Sequence, residues 1–316
     1  MAVPLVIVNP ESASGATRKA WPSIASDLRS TFGPFQIAFT DAPGSASELA
    51  TQGARKGVTL IIACGGDGTI SEVANGILAA GVDVELGILP SGTGGDFRRT
   101  LAIPTSARAA GKVLRDGRSR RIDVGRVTFL NERGLETVRF FVGVASLGMS
   151  TRIIQRVKEN TPGWLPASSP GWLRSRAAFG SSMVKTALRA EACRVVVQLD
   201  DAPERHLALA NLCIANARYF GGGMKIAPDA RLADGRFDVV SIGDLSTLQI
   251  MRKAPRLYFG AHMSMAEVSH TLAQKASVRA ADASLNIDLE IDGELPGRLP
   301  ATFQIVPDAL RVRCNG

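Results

Sequence analysis

At 316 residues and a formal charge of +8, the chain is long enough for two domains and favours an anionic partner: a nucleotide, a nucleic acid or an anionic lipid surface. A hydrophobic fraction of 45% excludes a disordered chain, and an aromatic fraction of 5% argues against a stacking platform for single-stranded nucleic acid. Cys64, Cys193, Cys213 and Cys314 fall at no paired spacing, and His206, His262 and His270 form no ligand pattern, so neither a disulfide framework nor a zinc knuckle is expected; buried thiols in a reducing compartment are.

The first run, Pro4–Val8, is continuously apolar, as in a parallel strand buried on both faces. It lacks the basic flank of a signal peptide, and no apolar run in the chain reaches the ~18 residues that span a bilayer. A cytoplasmic protein, peripheral at the membrane, is expected. The strand ends in Asn9-Pro10-Glu11-Ser12-Ala13-Ser14-Gly15, a loop of a size to hold a phosphate. Helical spacing over Ala16–Leu28, a strand at Phe35–Phe39 and a helix at Ser45–Lys56 lead to the apolar run Val58–Ala63.

That run enters Cys64-Gly65-Gly66-Asp67-Gly68-Thr69, and helical spacing resumes over Ile70–Ala80. Three glycines allow positive φ angles and let a ligand lie against backbone amides, and the helix start adds unpaired N–H groups and the positive end of its dipole. The turn therefore suits phosphate. A carboxylate at Asp67 would repel that phosphate unless a cation stands between them, which implies Mg²⁺ if the ligand is a nucleotide. A strand at Glu85–Leu89 then enters a second glycine turn, Pro90-Ser91-Gly92-Thr93-Gly94-Gly95-Asp96-Phe97-Arg98-Arg99, where Thr93 offers a hydroxyl and Asp96 a helix cap. With a helix over Thr105–Arg115, the first 120 or so residues read as a doubly wound α/β domain, whose ligands sit at the carboxyl ends of the strands.

From Arg120-Arg121-Ile122-Asp123-Val124-Gly125 onward strands dominate. Arg139–Val144, Cys193–Leu199, Leu207–Ile214, Phe237–Ile242, Val278–Arg279 and Leu285–Ile291 are short β-branched runs between turn signals, as in an antiparallel sandwich. Asp234-Gly235 and Asp292-Gly293 are both expected at hairpin turns. Thr302–Val306 and Leu310–Arg313 are read as two closing runs returning to the first domain. The stretch 151–190 is basic, with Glu159 as its acid before Ala190, and carries Trp164, Trp172, Phe179 and Met183. It suits an amphipathic element on an anionic membrane face or, equally, a helical excursion packed on the sandwich.

The glycine turn at 65–69, the Asn9-Pro10 loop, the Pro90–Phe97 loop, Ile122-Asp123, Gly221-Gly222-Gly223 with Pro228, Asp234-Gly235 and Asp292-Gly293-Glu294 stand in the order seen in the diacylglycerol kinase catalytic-domain family. The chain resembles that family, with its sphingosine and ceramide kinases and bacterial relatives, over nearly its whole length. The resemblance implies an α/β fold: an N-terminal nucleotide-binding domain similar to NAD kinase and phosphofructokinase (1–124, with 302–316) and a C-terminal β-sandwich lipid-substrate domain (125–301). It implies ATP-dependent phosphorylation of a lipid hydroxyl on diacylglycerol, ceramide or a sphingoid base.

On matching positions, Asn9, Thr40, Gly65, Gly66, Asp67, Gly68, Thr69, Ile70, Ser71 and Thr93 would surround ATP, with Asp67 and Glu294 catalytic and Glu294 the general base. Mg²⁺ would be held by Asp234 with the backbone carbonyls of Arg231 and Arg236, and Asp123 would belong to the linked acidic network. One departure is Gly95, where the family usually has asparagine. Two other readings stay open: a soluble NAD kinase-like enzyme, and a nucleotide or lipid sensor without catalysis. A nucleic-acid partner ranks last, since no groove-reading motif carries the charge. An exposed sheet edge offers a route to a homodimer, though no residue demands one.

Overall fold

In the computed structural model, residues 3–92, 94–159 and 192–315 are described. The chain forms two compact units, one of residues 1–124 with 307–316 and the other of 125–306.

The first unit is a parallel sheet in the order β4-β3-β1-β2, formed by β1 (Leu5–Val8), β2 (Gln36–Phe39), β3 (Leu60–Gly65) and β4 (Glu85–Pro90). β1 and β3 are buried at every position because helices cover both faces, which is why they read as unbroken apolar runs. Helices α2 (Ser45–Arg55) and α3 (Asp67–Ala80) pack together, as do α1 (Ala16–Thr31) and α5 (Ala107–Asp116); α4 (Asp96–Thr100) is a short helix after β4. Gly76 sets the α2–α3 spacing: a Cβ there would lie 2.2 Å from the Ser47 carbonyl oxygen.

The last strand, β14 (Glu294–Cys314), adds its end to this sheet, with Arg311 and Val312 parallel to Glu85 and Leu86. Buried Glu85 takes a two-pronged ion pair from Arg313 there. Asp123, buried near the end of the first segment, accepts the Asp308 N–H at 2.9 Å and so ties the entering and returning strands.

The second unit is a two-layered antiparallel sandwich. One layer runs β11 (Val268–Ala273), β10 (Phe237–Gly243), β9 (Arg205–Ala215), β7 (Val144–Gly148), β13 (Asp288–Ile291), β14. In the other, β8 (Cys193–Leu199) joins β9 to β12 (Lys275–Ala280), β12 joins β14, β14 joins β5 (Arg118–Asn131), and β5 joins β6 (Glu136–Phe141). The long strands β9 and β14 serve both layers, using different halves for different neighbours. Phe129, Phe141, Phe237 and Phe303 fill the space between, with Phe141 stacked on Phe237 at 5.6 Å and edge-on to Phe303 at 6.3 Å. α6 (Met149–Glu159), α7 (Thr247–Lys253) and α8 (Pro255–Phe259) complete the described elements, with a 3₁₀ turn at Ala261–Ser264.

Three expectations change. The two closing runs are one strand, β14, whose successive segments pair with β13, β12 and β4. Asp234-Gly235 is a turn inside the long connection 216–236 between the antiparallel neighbours β9 and β10, and forms no tight two-residue hairpin turn, because β9 ends at Ala215, far ahead of it. A strand at 268–273 and two short helices at 247–259 were hidden by mixed polarity and short length. No helix among the described residues is long and apolar enough to cross a membrane.

Candidate active site

In the first unit, the loops that follow β1, β3 and β4 are knitted together by backbone and hydroxyl groups. Asn9 donates from Nδ2 to Thr69 Oγ1 at 3.0 Å, and its Oδ1 accepts the Glu11 N–H at 3.0 Å, which fixes the amide's orientation. Gly65 cannot be replaced without moving Thr69, whose Oγ1 would lie 2.4 Å from an added Cβ. The Gly66 and Gly92 backbones approach so closely that a Cβ on Gly92 would meet Gly66 Cα at 2.5 Å. Ser12 and Thr17 hydroxyls both donate to the Ser91 carbonyl, at 2.8 and 2.7 Å, closing the first loop onto the third.

Asp67 has a partner set of its own. Its Oδ2 accepts the Asp96 N–H and its Oδ1 the Phe97 N–H, both at 3.0 Å, so this carboxylate caps α4 from the neighbouring loop. The cap expected of Asp96 therefore belongs to Asp67, and Asp96 Oδ1 instead accepts from Arg99 at 2.6 Å. This gives the carboxylate a structural reason to sit in a phosphate-suited turn that does not depend on a cation. Gly95 begins α4 at φ 67°, a left-handed conformation. Glycine and asparagine are the residue types that enter it most readily, so the departure at 95 keeps the backbone path. In the same manner Glu72, from α3, accepts the N–H groups of Gly44 and Ala46 at 3.0 and 3.2 Å and caps α2.

The structure thus brings Asn9, Gly65, Gly66, Asp67 and Thr69 together. Gly68 is in the first turn of α3. Ser71 is fully buried there, and its Oγ meets no hydrogen-bond partner. Ile70 is a packing residue: its side chain is buried and its N–H bonds the Gly66 carbonyl at 3.1 Å. Thr40 is half-buried beyond β2, its N–H bonded to the Val8 carbonyl at 2.9 Å. Thr93 lies outside the described residues, as does most of 151–190, including both tryptophans.

In the second unit, Asp292-Gly293 forms a two-residue turn between β13 and β14, with φ of 48° and 88°. Asp292 Oδ1 and Oδ2 accept the N–H groups of Gly143 at 2.9 Å and Val142 at 3.1 Å, which binds the turn to the β6–β7 corner. Gly293 donates its N–H to Glu290 Oε1 at 2.6 Å, and buried Glu290 also takes a short bond from the Ser146 hydroxyl. Glu294, first residue of β14, follows this turn directly and pairs with Ile291 across it. Its carboxylate pairs with Arg139 Nη2 at 2.7 Å and keeps 37% of its side-chain surface exposed. Burial, with Glu290 nearby, pushes the Cys213 thiol far up, and burial alone pushes Cys64 to about 12, so both stay protonated and unreactive.

Asp234 is exposed, and its Oδ1 accepts the Arg236 N–H at 3.1 Å. No group of three or more His, Cys, Asp or Glu residues that could hold a metal exists among the described residues. A donor set of one carboxylate and backbone carbonyls is all hard oxygen, which fits a cation that keeps several waters.

Comparison with known proteins decides the family. Residues 4–127 match the diacylglycerol kinase catalytic domain, and 165–314 match the YegS C-terminal NAD kinase β-sandwich-like domain. A diacylglycerol kinase of Mycobacterium tuberculosis is 30% identical over 308 residues, covering 97% of this chain and 93% of that one. The chain belongs to the diacylglycerol kinase family. It is a lipid kinase, and its phosphoryl donor as a kinase is ATP. A probable YegS-like lipid kinase of Cronobacter sakazakii is 31% identical over 219 residues, 66% of this chain and 64% of that one. A solved structure of a putative diacylglycerol kinase from Bacillus anthracis str. Sterne shares the fold, with a TM-score of 0.75 at 22% identity over 99% of this chain and 97% of that one.

Sequence reasoning missed Ser12, Thr17, Ser91, Glu72, Arg139 and Glu290. Glu290 alone left a signal, an acid set between Leu289 and Ile291 at the end of a strand run.

Proposed function

We propose that this kinase transfers the γ-phosphate of ATP to the free hydroxyl of diacylglycerol, with ceramide and sphingoid bases as weaker acceptors. The observation that carries the reading is Glu294: a half-exposed carboxylate on a turn clamped by Asp292 and Glu290. Such a group is rigid enough to meet a substrate hydroxyl and open enough to reach it. The names of relatives such as the Mycobacterium tuberculosis protein favour the glycerolipid.

In this reading the acceptor oxygen attacks the γ-phosphorus, its proton passes to Glu294, and ADP leaves. Arg139 holds Glu294 in its rotamer as the proton arrives. The Gly65–Ser71 turn and Asn9 hold the nucleotide phosphates through backbone N–H groups and the start of α3. Asp67 acts by holding the start of α4 against that turn. Asp234, with the carbonyls of Arg231 and Arg236, would hold Mg²⁺, while Asp123 ties the entering and returning strands through the Asp308 N–H. Mg²⁺ supplies neutralisation of phosphate charge. The stretch 151–190 meets the anionic membrane surface and makes the protein peripheral.

Glu294→Gln keeps size and hydrogen bonding but cannot accept the proton. The expected result is a fall in kcat of about 10²- to 10⁴-fold with ATP affinity unchanged. Wild-type turnover in this variant would remove Glu294 from the mechanism.

A further inference from the structure

The helix pair α7–α8 presents two large apolar side chains to solvent. Leu248 is 65% exposed and Phe259 82% exposed, while their neighbours Ile250 and Leu257 pack inward on a second buried cluster that includes Ala215, Ile226 and Val240. The inward residues anchor the pair, so the outward ones have no part in folding it. A single exposed leucine or phenylalanine is ordinary. Their setting is not: from Leu245 to Ala266 the chain has no acidic residue, and Arg252 and Arg256 are both exposed. Arg252 follows Leu248 by four positions on α7, and Phe259 follows Arg256 by three on α8, so each apolar side chain shares a helix face with a cation. Lys253 is already paired with Glu267 and adds little free charge. By contrast, Leu135, also well exposed, stands between Arg133 and Glu136, with Glu132 close by, in mixed charge.

We infer that α7–α8 is a docking face for an anionic phospholipid bilayer. Leu248 and Phe259 enter the headgroup boundary, and Arg252 and Arg256 meet lipid phosphates. The pairing of positive charge with apolar tips selects this occupant, since a neutral protein surface would leave both arginines uncompensated. Ala254, Leu257 and Tyr258 also pack with Ile153 of α6, so the face stands beside the start of the basic stretch 151–190. The inference deepens the lipid-kinase reading, because a kinase acting on a membrane-embedded hydroxyl must approach the bilayer.

Co-sedimentation with vesicles of phosphatidylcholine, with and without phosphatidylglycerol, tests it on the full chain. The wild type is expected to bind only the anionic vesicles. Leu248→Ser/Phe259→Ser should weaken binding at least about tenfold. Arg252→Gln/Arg256→Gln should weaken it about thirtyfold and flatten its salt dependence, at about fivefold per arginine. All four positions are exposed, so circular dichroism and Tm should match the wild type. Phosphorylation of a short-chain, water-soluble diacylglycerol should be unchanged in both variants; failure of that reaction in the wild type counts against the kinase reading and leaves vesicle binding to be judged alone. Binding within about twofold of wild type in both variants, or no wild-type binding to anionic vesicles, overturns the inference. So does a shift from dimer to monomer on replacing Leu248 and Phe259, which would assign the face to a second copy of the chain.

Discussion

His262 is buried in the second unit, with Nε2 at 3.0 Å from the Ile226 carbonyl and Nδ1 meeting no hydrogen-bond partner. Nε2–H is therefore the donor and the ring is neutral. Burial holds its pKa below the ordinary 6.5, while the Ile226 carbonyl opposes the shift more weakly. With the folded value depressed, the unfolded chain binds a proton that the native ring excludes. The contribution is complete above about pH 6.5 and is lost as the pH falls toward the folded value, with a slope of up to about 1.4 kcal/mol per pH unit. His262→Gln keeps a donor for Ile226 and removes the titration. Urea unfolding at pH 7.5 and 5.5 should show this acid-side loss shrinking in the variant, and an identical loss in both proteins would place its origin elsewhere. Gly95 shows the limit of motif matching at the same scale: it departs from the family letter yet satisfies the left-handed backbone that the letter serves.

Among elements, α4 has no side-chain cap of its own and depends on Asp67, which lies 29 positions earlier than Asp96. Asp67→Ala leaves two N–H groups without that acceptor and should destabilise the first unit by about 1–2 kcal/mol, measured by thermal or urea unfolding. If Asp67 acts through α4, the variant's lost activity is not restored by raising Mg²⁺; full rescue by Mg²⁺ would instead make it a metal ligand. The strand, turn and helix units of the first 120 or so residues could be read from the sequence because each is a local pattern: apolar runs, then glycine, then 3.6-residue spacing. The Ser12 and Thr17 hydroxyls could not, since their partner at Ser91 is 79 and 74 positions away and nothing near Ser12 encodes the meeting. For the same reason Asp292-Gly293 was readable as a hairpin turn, while its clamp to Val142 and Gly143, some 150 positions earlier, was not. Asp234-Gly235 carries the same dipeptide near the end of the long connection between the paired strands β9 and β10, so the dipeptide specifies a turn and the distance to the preceding strand decides whether it makes a tight hairpin.

For the whole molecule, the chain's charge and length left nucleotide, nucleic acid and membrane open, and it was the ordered series of weak motifs along nearly the full length that narrowed the field. The family match over 97% of the chain bears out the lipid-kinase reading. The acceptor is fixed by no single residue, because the lipid hydroxyls in question differ little where a carboxylate such as Glu294 would meet them. The most direct measurement is therefore made on the product. Pure protein is incubated with γ-labelled ATP, Mg²⁺ and a total lipid extract, and the labelled lipids are separated and identified by mass. The account predicts one dominant labelled lipid, phosphatidic acid. Labelled ceramide phosphate or sphingoid phosphate in its place would contradict the acceptor, and no labelled lipid with ATP binding intact would contradict the account itself.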